Sequence, residues 1–144
     1  MNYLLDVNVL VAWGWADHLD HDRVVHWIAA MRKKRNSVLF TSAIPQLGFV
    51  RVSIQRCGGQ LTVTLASEVL MGMLAALGKR HRFLPDDQAS GAFPHWCQAA
   101  NQTTDAHLLQ LAIAHGLQLA TLDTGISKAC LVPHKGTLHR HLQR

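Results

Sequence analysis

Apolar residues along this chain arrive in two rhythms. Short, mainly apolar stretches such as "YLL", "SVLFTS" and "LQLATLD" have the pattern of buried strands. Between them, apolar positions recur at three- and four-residue steps, the spacing of helices with one buried side. In "DHDRVVHWIAAMRKKR", Val24, Val25, Ile28 and Met31 keep this step. Its acids fall in the first turn and its cations in the last, as the helix dipole favours. Pro45 suits the start of a helix, "PQLGFVRVSIQR", which Gly58-Gly59 ends. "TLASEVLMGMLAAL" is another helix, and "HRFLPDD" a short strand and turn.

The first run ends near Asp6, with a helix expected after Asn8. A helix from Thr103 to His115, a turn at Gly116, the strand "LQLATLD" and an edge strand at "CLVPH" close the pattern. "QASGAFPHWCQAANQ" reads as a loop with one short helix. Neither a repeat nor a linker interrupts the chain, so residues 1–144 are expected to form one domain, with a tail from about residue 134. Strands alternating with helices predict an α/β domain, a central parallel sheet between helical layers. In such sheets, functional groups gather at the strands' carboxyl edge.

Composition narrows the class. Of 144 residues, 49% are hydrophobic and 16% charged, which suits an ordered globular chain. No apolar run has the length of a membrane span, and "MNYLLDVNVL" lacks the basic start of a secretion signal. Cys57, Cys97 and Cys130 are isolated and odd in number, so no disulfide frame or CxxC metal knot is expected; a reducing cytoplasm fits best. The net charge of +5 comes from fourteen Lys and Arg against nine acids and favours an anionic partner such as RNA, DNA or an acidic peptide.

Three of those nine acids stand at element ends. Asp6 and Asp123 each follow an apolar strand, and Asp105 begins the helix that leads into the second of these strands. If the two strands are neighbours, the three carboxylates converge, and a hard divalent cation would relieve their repulsion. A basic chain with an acidic metal pocket has the makings of a nuclease, because such an ion can align a phosphodiester and activate water. Each acid also has a plain reading. Asp6 can cap a helix, Asp105 suits a first turn, and Asp123 before Thr124-Gly125 suits a turn.

The blocks "LLDVNVLV", "TSAIPQLGFVRVS" and "TTDAHLLQLAIAHGLQLATLD", in this order and spacing, resemble the PIN domain. Within that group they are similar to the VapC toxins of bacterial toxin–antitoxin pairs. The likeness runs from Tyr3 to about Val132. It implies a PIN-like three-layer α/β/α fold and a metal-dependent endoribonuclease that is silenced by a cognate antitoxin. It also implies products with a 5′-phosphate and a 3′-hydroxyl. Asp6, Asp105 and Asp123 match the family's catalytic acids, with Asp6 and Asp105 as ligands of Mg²⁺, or of Mn²⁺. Asn8 matches the polar residue after the first acid, while Thr104 and Thr121 would orient the carboxylates. His21 and Trp27 fall in the family's second helix as scaffold. A homodimer is implied by the same analogy.

One position departs from the pattern. Aligned on "GFVRV", the family's second acid falls at Gln46, and the chain's single glutamate, Glu68, lies in another helix. Gln46 can position water or substrate but brings no charge, which favours one metal over two. It also motivates an alternative: a PIN scaffold that binds RNA or protein and cuts weakly or not at all.

Arg51 and Arg56, in the helix that begins near the active edge, are expected to contact RNA or antitoxin. "RKKR" at 32–35 and "KRHR" at 79–82 are weaker phosphate candidates, and Trp13 and Trp15 could serve a partner surface or the core. His134, His139 and His141 lack zinc spacing, and His95 with Cys97 is a weak thiol–imidazole pair. "LDTGIS" imitates the active-site turn of aspartic proteases, but only residues 126–144 follow its Asp-Thr-Gly, too few for the remaining walls of that all-β fold.

Overall fold

The computed structural model describes residues 1–134, so His139, His141 and most of the expected tail lie outside the described residues. Five strands, β1 (Tyr3–Leu5), β2 (Leu39–Thr41), β3 (His81–Phe83), β4 (Gln118–Thr121) and β5 (Cys130–Leu131), form one sheet. Its order is β3-β2-β1-β4-β5, and every pairing is parallel. The helices are α1 (Val7–Gly14), α2 (His21–Lys33), α3 (Ala43–Arg56), α4 (Val63–Leu77) and α5 (Thr103–Ala114).

Alternate residues of the central strands face opposite layers, as the pleat requires. Tyr3, Leu5, Leu39 and Ala120 join a core with Val9, Trp27, Ile28, Phe49, Leu70 and Leu74 from α1 to α4. Leu4 and Leu119 point the other way, to Leu108, Leu111 and Ala112 of α5. Trp27 meets Tyr3 edge to face, with ring centroids 5.2 Å apart. Trp13 and Trp15 both pack against the larger core, and the Trp15 indole N–H donates to Ser53 Oγ at 2.8 Å. His21 Nδ1 lies 2.8 Å from the Ala12 carbonyl, tying α2 to α1.

Two boundaries differ from the sequence expectation. Helix α1 opens at Val7 rather than after Asn8, because the Asp6 carboxylate accepts the Val7 N–H at 2.7 Å and caps the helix itself. Helix α3 opens at Ala43, placing Pro45 inside the first turn, where its missing N–H costs no intrahelical bond. The "QASGAFPHWCQAANQ" segment holds one turn of 3₁₀ helix, Ala100–Gln102, whose Gln102 Oε1 accepts the N–H groups of Gln98 and Ala99.

Helices α1 and α3 cross at Gly48. A Cβ built there would lie 2.5 Å from Val7 Cγ2, so only glycine allows this approach. The "KRHR" segment is structural in part: Arg80 donates to the carbonyls of Met31, Lys34 and Ser37, closing the end of α2. The "RKKR" side chains are exposed.

Candidate active site at the switch point of the sheet

The chain passes from β1 outward to β2 and β3, then returns to the other side of β1 with β4. The carboxyl edge between β1 and β4 is therefore the switch point, where neighbouring connections diverge and leave a crevice. Register sets the chemistry there. Leu5 pairs with Ala120, and the Asp6 N–H donates to the Ala120 carbonyl at 3.0 Å, so Asp6 and Thr121 emerge side by side.

Thr121 is fully buried and serves as a hub. Its hydroxyl donates to Asp6 Oδ2 at 2.7 Å. It accepts from Asn8 Nδ2 at 3.2 Å and from the Asp123 N–H at 3.1 Å. Asn8 Oδ1 in turn accepts the Leu122 N–H at 3.1 Å. Asp123 lies two residues beyond β4, where its Oδ1 accepts the Gly125 N–H at 2.8 Å. This is the Asx turn that the sequence suggested as a plain reading.

Asp6, Asp105 and Asp123 line one open cavity of about 550 Å³, together with Asn8, Thr104, Arg51 and Arg56. Burial raises the Asp6 carboxyl above the ordinary range, opposed by the Thr121 and Val7 donors. Asp105 is pushed up to about 6, by partial burial first and then by the charges of Asp6 and Asp123. No hydrogen bond from the described residues satisfies its carboxylate. The floor of the cavity is thus negative and only partly compensated. Among the described residues, no group of three or more His, Cys, Asp or Glu side chains is placed to hold a metal ion together. Carboxylate oxygens with unrelieved mutual repulsion are the donor set a hard divalent cation requires.

Two arginines stand at the rim: Arg51 is exposed, and Arg56 pairs with Asp17 at 2.9 Å. His18, which sequence reasoning missed, also lines the cavity. Its Nδ1 accepts the Asp20 N–H at 3.0 Å, so the neutral ring carries its proton on Nε2. It sits in the loop between α1 and α2, where no periodicity marks it.

Two expected supporting residues behave differently. Thr104 lines the cavity but bonds no carboxylate among the described residues. Gln46 does not line it. Its Nε2 donates to Thr41 Oγ1 at 3.0 Å, and that hydroxyl also meets His81 Nε2 at 2.7 Å. Among the described residues no hydrogen bond joins the His95 and Cys97 side chains; the His95 carbonyl accepts from Gln98, and the Cys97 N–H donates to the Pro94 carbonyl.

A family model described as the PIN domain matches residues 3–131. The chain belongs to the PIN-domain family. Among curated relatives, ribonuclease VapC38 of Mycobacterium tuberculosis is 38% identical over 129 residues, covering 85% of this chain and 86% of that one. Ribonuclease VapC29 of the same species is 34% identical, covering 88% and 90%. Ribonuclease VapC44 is also 34% identical, covering 99% and 98%. The crystal structure of the M. tuberculosis toxin VapC20, described as cleaving the sarcin-ricin loop, superposes with a TM-score of 0.54. That likeness covers 83% of this chain and 87% of the other at 14% identity, and shows the shared fold. The resemblance to VapC proteins and the α/β/α PIN architecture both stand. The parallel sheet removes the aspartic-protease reading of "LDTGIS", which here is the turn after β4.

Proposed function

We propose that this PIN-domain protein is the toxin of a toxin–antitoxin pair, an endoribonuclease that hydrolyses RNA phosphodiester bonds at the cavity of Asp6, Asp105 and Asp123. The observation that carries this reading is the gathering of three acids, remote in sequence, at the switch point beneath a basic rim. Relatives named ribonucleases at 32–38% identity agree with it and disfavour the inactive-scaffold alternative.

Asp6 and Asp105 would hold Mg²⁺ or Mn²⁺, with Asp123 beside them. A divalent ion held there would supply activation of water and charge neutralisation at the departing oxygen. The chain's own residues do the rest. Thr121 and the Val7 N–H fix both oxygens of Asp6, leaving outward lone pairs in one orientation. The Asp105 carboxyl, raised to about 6 by burial and by the charges of Asp6 and Asp123, shows the repulsion that a cation held there would relieve. Arg51, Arg56 and His18 Nε2–H would receive phosphate oxygens above the acidic floor. The net charge of +5 favours approach of RNA to the protein. A cognate antitoxin would cover the same groove, and a homodimer in the cytoplasm completes the proposal. No helix among the described residues is long and apolar enough to cross a membrane.

The test is cleavage of structured RNA by the purified chain with EDTA, Mg²⁺ or Mn²⁺, beside Asp6→Asn. Metal-dependent cutting that falls more than about a hundredfold in the variant is expected, since loss of a ligand should exceed the 10–100-fold cost of losing its support. Equal cutting by both proteins would refute the assignment.

A further inference from the structure

The first turn of α5 is a wall with a cavity on either side. On one side lies the carboxylate cavity; on the other is an open cleft of about 530 Å³, and Thr104 lines both. We propose that this second cleft is a subsite for a base of the RNA strand next to the cleaved phosphate, a reading that rests on the proposed nuclease activity.

The two sides differ in what they could hold. Arginines line the carboxylate cavity, whereas neither lysine nor arginine is among the described residues lining the cleft. It offers a phosphate no lysine or arginine, and the Asp86 carboxylate would oppose one. Its surfaces suit a flat, partly apolar group instead. The Phe93 ring is 49% exposed and faces the cleft, with Ile44 as an aliphatic wall. Stacking on such a ring accepts any base, because every base presents a π-face. The hydroxyls of Ser90 and Thr104 line the same space and bond nothing among the described residues, leaving donors and acceptors for a base edge or a ribose hydroxyl.

The cleft is also held in shape. Asp86 Oδ2 meets His107 Nε2 at 2.6 Å, and Asp86 Oδ1 accepts the Gln88 N–H at 3.1 Å. The loop bearing Ser90 and Phe93 is thereby pinned to α5, two residues from Asp105. Each Asp86 oxygen holds one partner within the protein, so this lining carboxylate fixes the shape of the cleft. A volume of this size lies within the range of small-molecule sites.

Backbone amide shifts of the full chain in EDTA read the cleft without relying on cleavage. Titration with adenosine 5′-monophosphate should move Ser90, Phe93 and Thr103, whereas ribose 5-phosphate should move only residues around His18 and Arg51. Phe93→Ala should weaken the nucleotide's effect at Ser90 about tenfold, the scale of one lost base–aromatic stack, and Phe93→Trp should restore it. In cleavage, an abasic residue beside the cut should slow wild type about tenfold and leave Phe93→Ala, already slowed, no slower.

Identical shifts with the sugar phosphate, or a wild type indifferent to the missing base, overturn the subsite. Base-dependent shifts at Ser90 without any metal-dependent cutting would keep the subsite and remove the nuclease. Cutting lost in Asp6→Asn but blind to the neighbouring base would do the reverse.

Discussion

Two strands of the sheet end in the same way and lead to different chemistry. At the carboxyl end of β4, the buried Thr121 hydroxyl binds Asp6, Asn8 and the Asp123 backbone. At the end of β2, the equally buried Thr41 hydroxyl binds Gln46 and His81. Each threonine is a hub that fixes its neighbours. Thr121 holds a carboxylate whose outward side remains free, in a cavity with two more. Thr41 gathers neutral partners, since burial pushes the His81 imidazole below its ordinary range. A hub at the strand end is therefore a general support, and the charge of what it holds decides whether a site results. With glutamine at 46, the second hub has no charge to offer and is closed upon itself.

The sharpest way to break the contrast is to remove one hydroxyl at a time. Thr121→Val should cut metal-dependent RNA cleavage about 10–100-fold, as loss of a supporting hydrogen bond to a ligand does. It should also lower stability by about 1–3 kcal/mol, because Asp6, Asn8 and the Asp123 N–H lose a buried partner. A melting curve and a single-turnover rate, taken on the same preparation, separate the two effects. A stability loss with an unchanged rate would show that Thr121 supports the fold alone.

Next in size is the charge itself. The Asp105 carboxyl is raised from 3.8 unfolded to about 6 folded, so the folded state binds the proton more tightly. The associated stability is full below about pH 4 and is lost as pH rises through 6. Asp105→Asn removes this dependence. In EDTA at pH 7.5 the variant should be more stable than wild type by about 1 kcal/mol, a value discounted because the group is half-exposed. At pH 4 the two should melt together, and Mg²⁺ at pH 7.5 should raise wild type more than the variant. A wild type no less stable than Asp105→Asn across this range would mean that the carboxylates do not oppose one another.

The smallest effect belongs to the closed hub. Gln46→Ala should leave cleavage within about threefold, the spread of about 0.5 kcal/mol usual for changes away from a functional contact. It should cost about 1 kcal/mol of stability through the lost bond to Thr41. A rate loss as large as that of Thr121→Val would return Gln46 to the active cavity.

Much of this arrangement is legible in residue order alone. Asp6 follows an apolar run and Asp123 closes another, so each is tied to a strand end by pattern. The parallel sheet then makes those ends neighbours. Asp105 is equally marked, as an acid opening a strongly periodic helix. What the sequence hides is direction. Alignment places Gln46 on the first turns of α3, but its amide turns to Thr41, a partner chosen by packing. Arg80 and "RKKR" look alike as basic segments, yet Arg80 closes α2 through the Met31, Lys34 and Ser37 carbonyls while the other remains exposed. His18 and the cleft behind Phe93 lie on loops, whose shape depends on contacts such as Asp86 with His107 that leave no periodic trace.

The crossing at Gly48 has its own consequence for how such a protein can diverge. Any side chain there would press on Val7, the first residue of the helix that Asp6 caps. A mutation on α3 would thus reach the leading carboxylate through Val7, which lines the cavity. A larger residue at 48 is therefore expected to lower cleavage by displacing the start of α1.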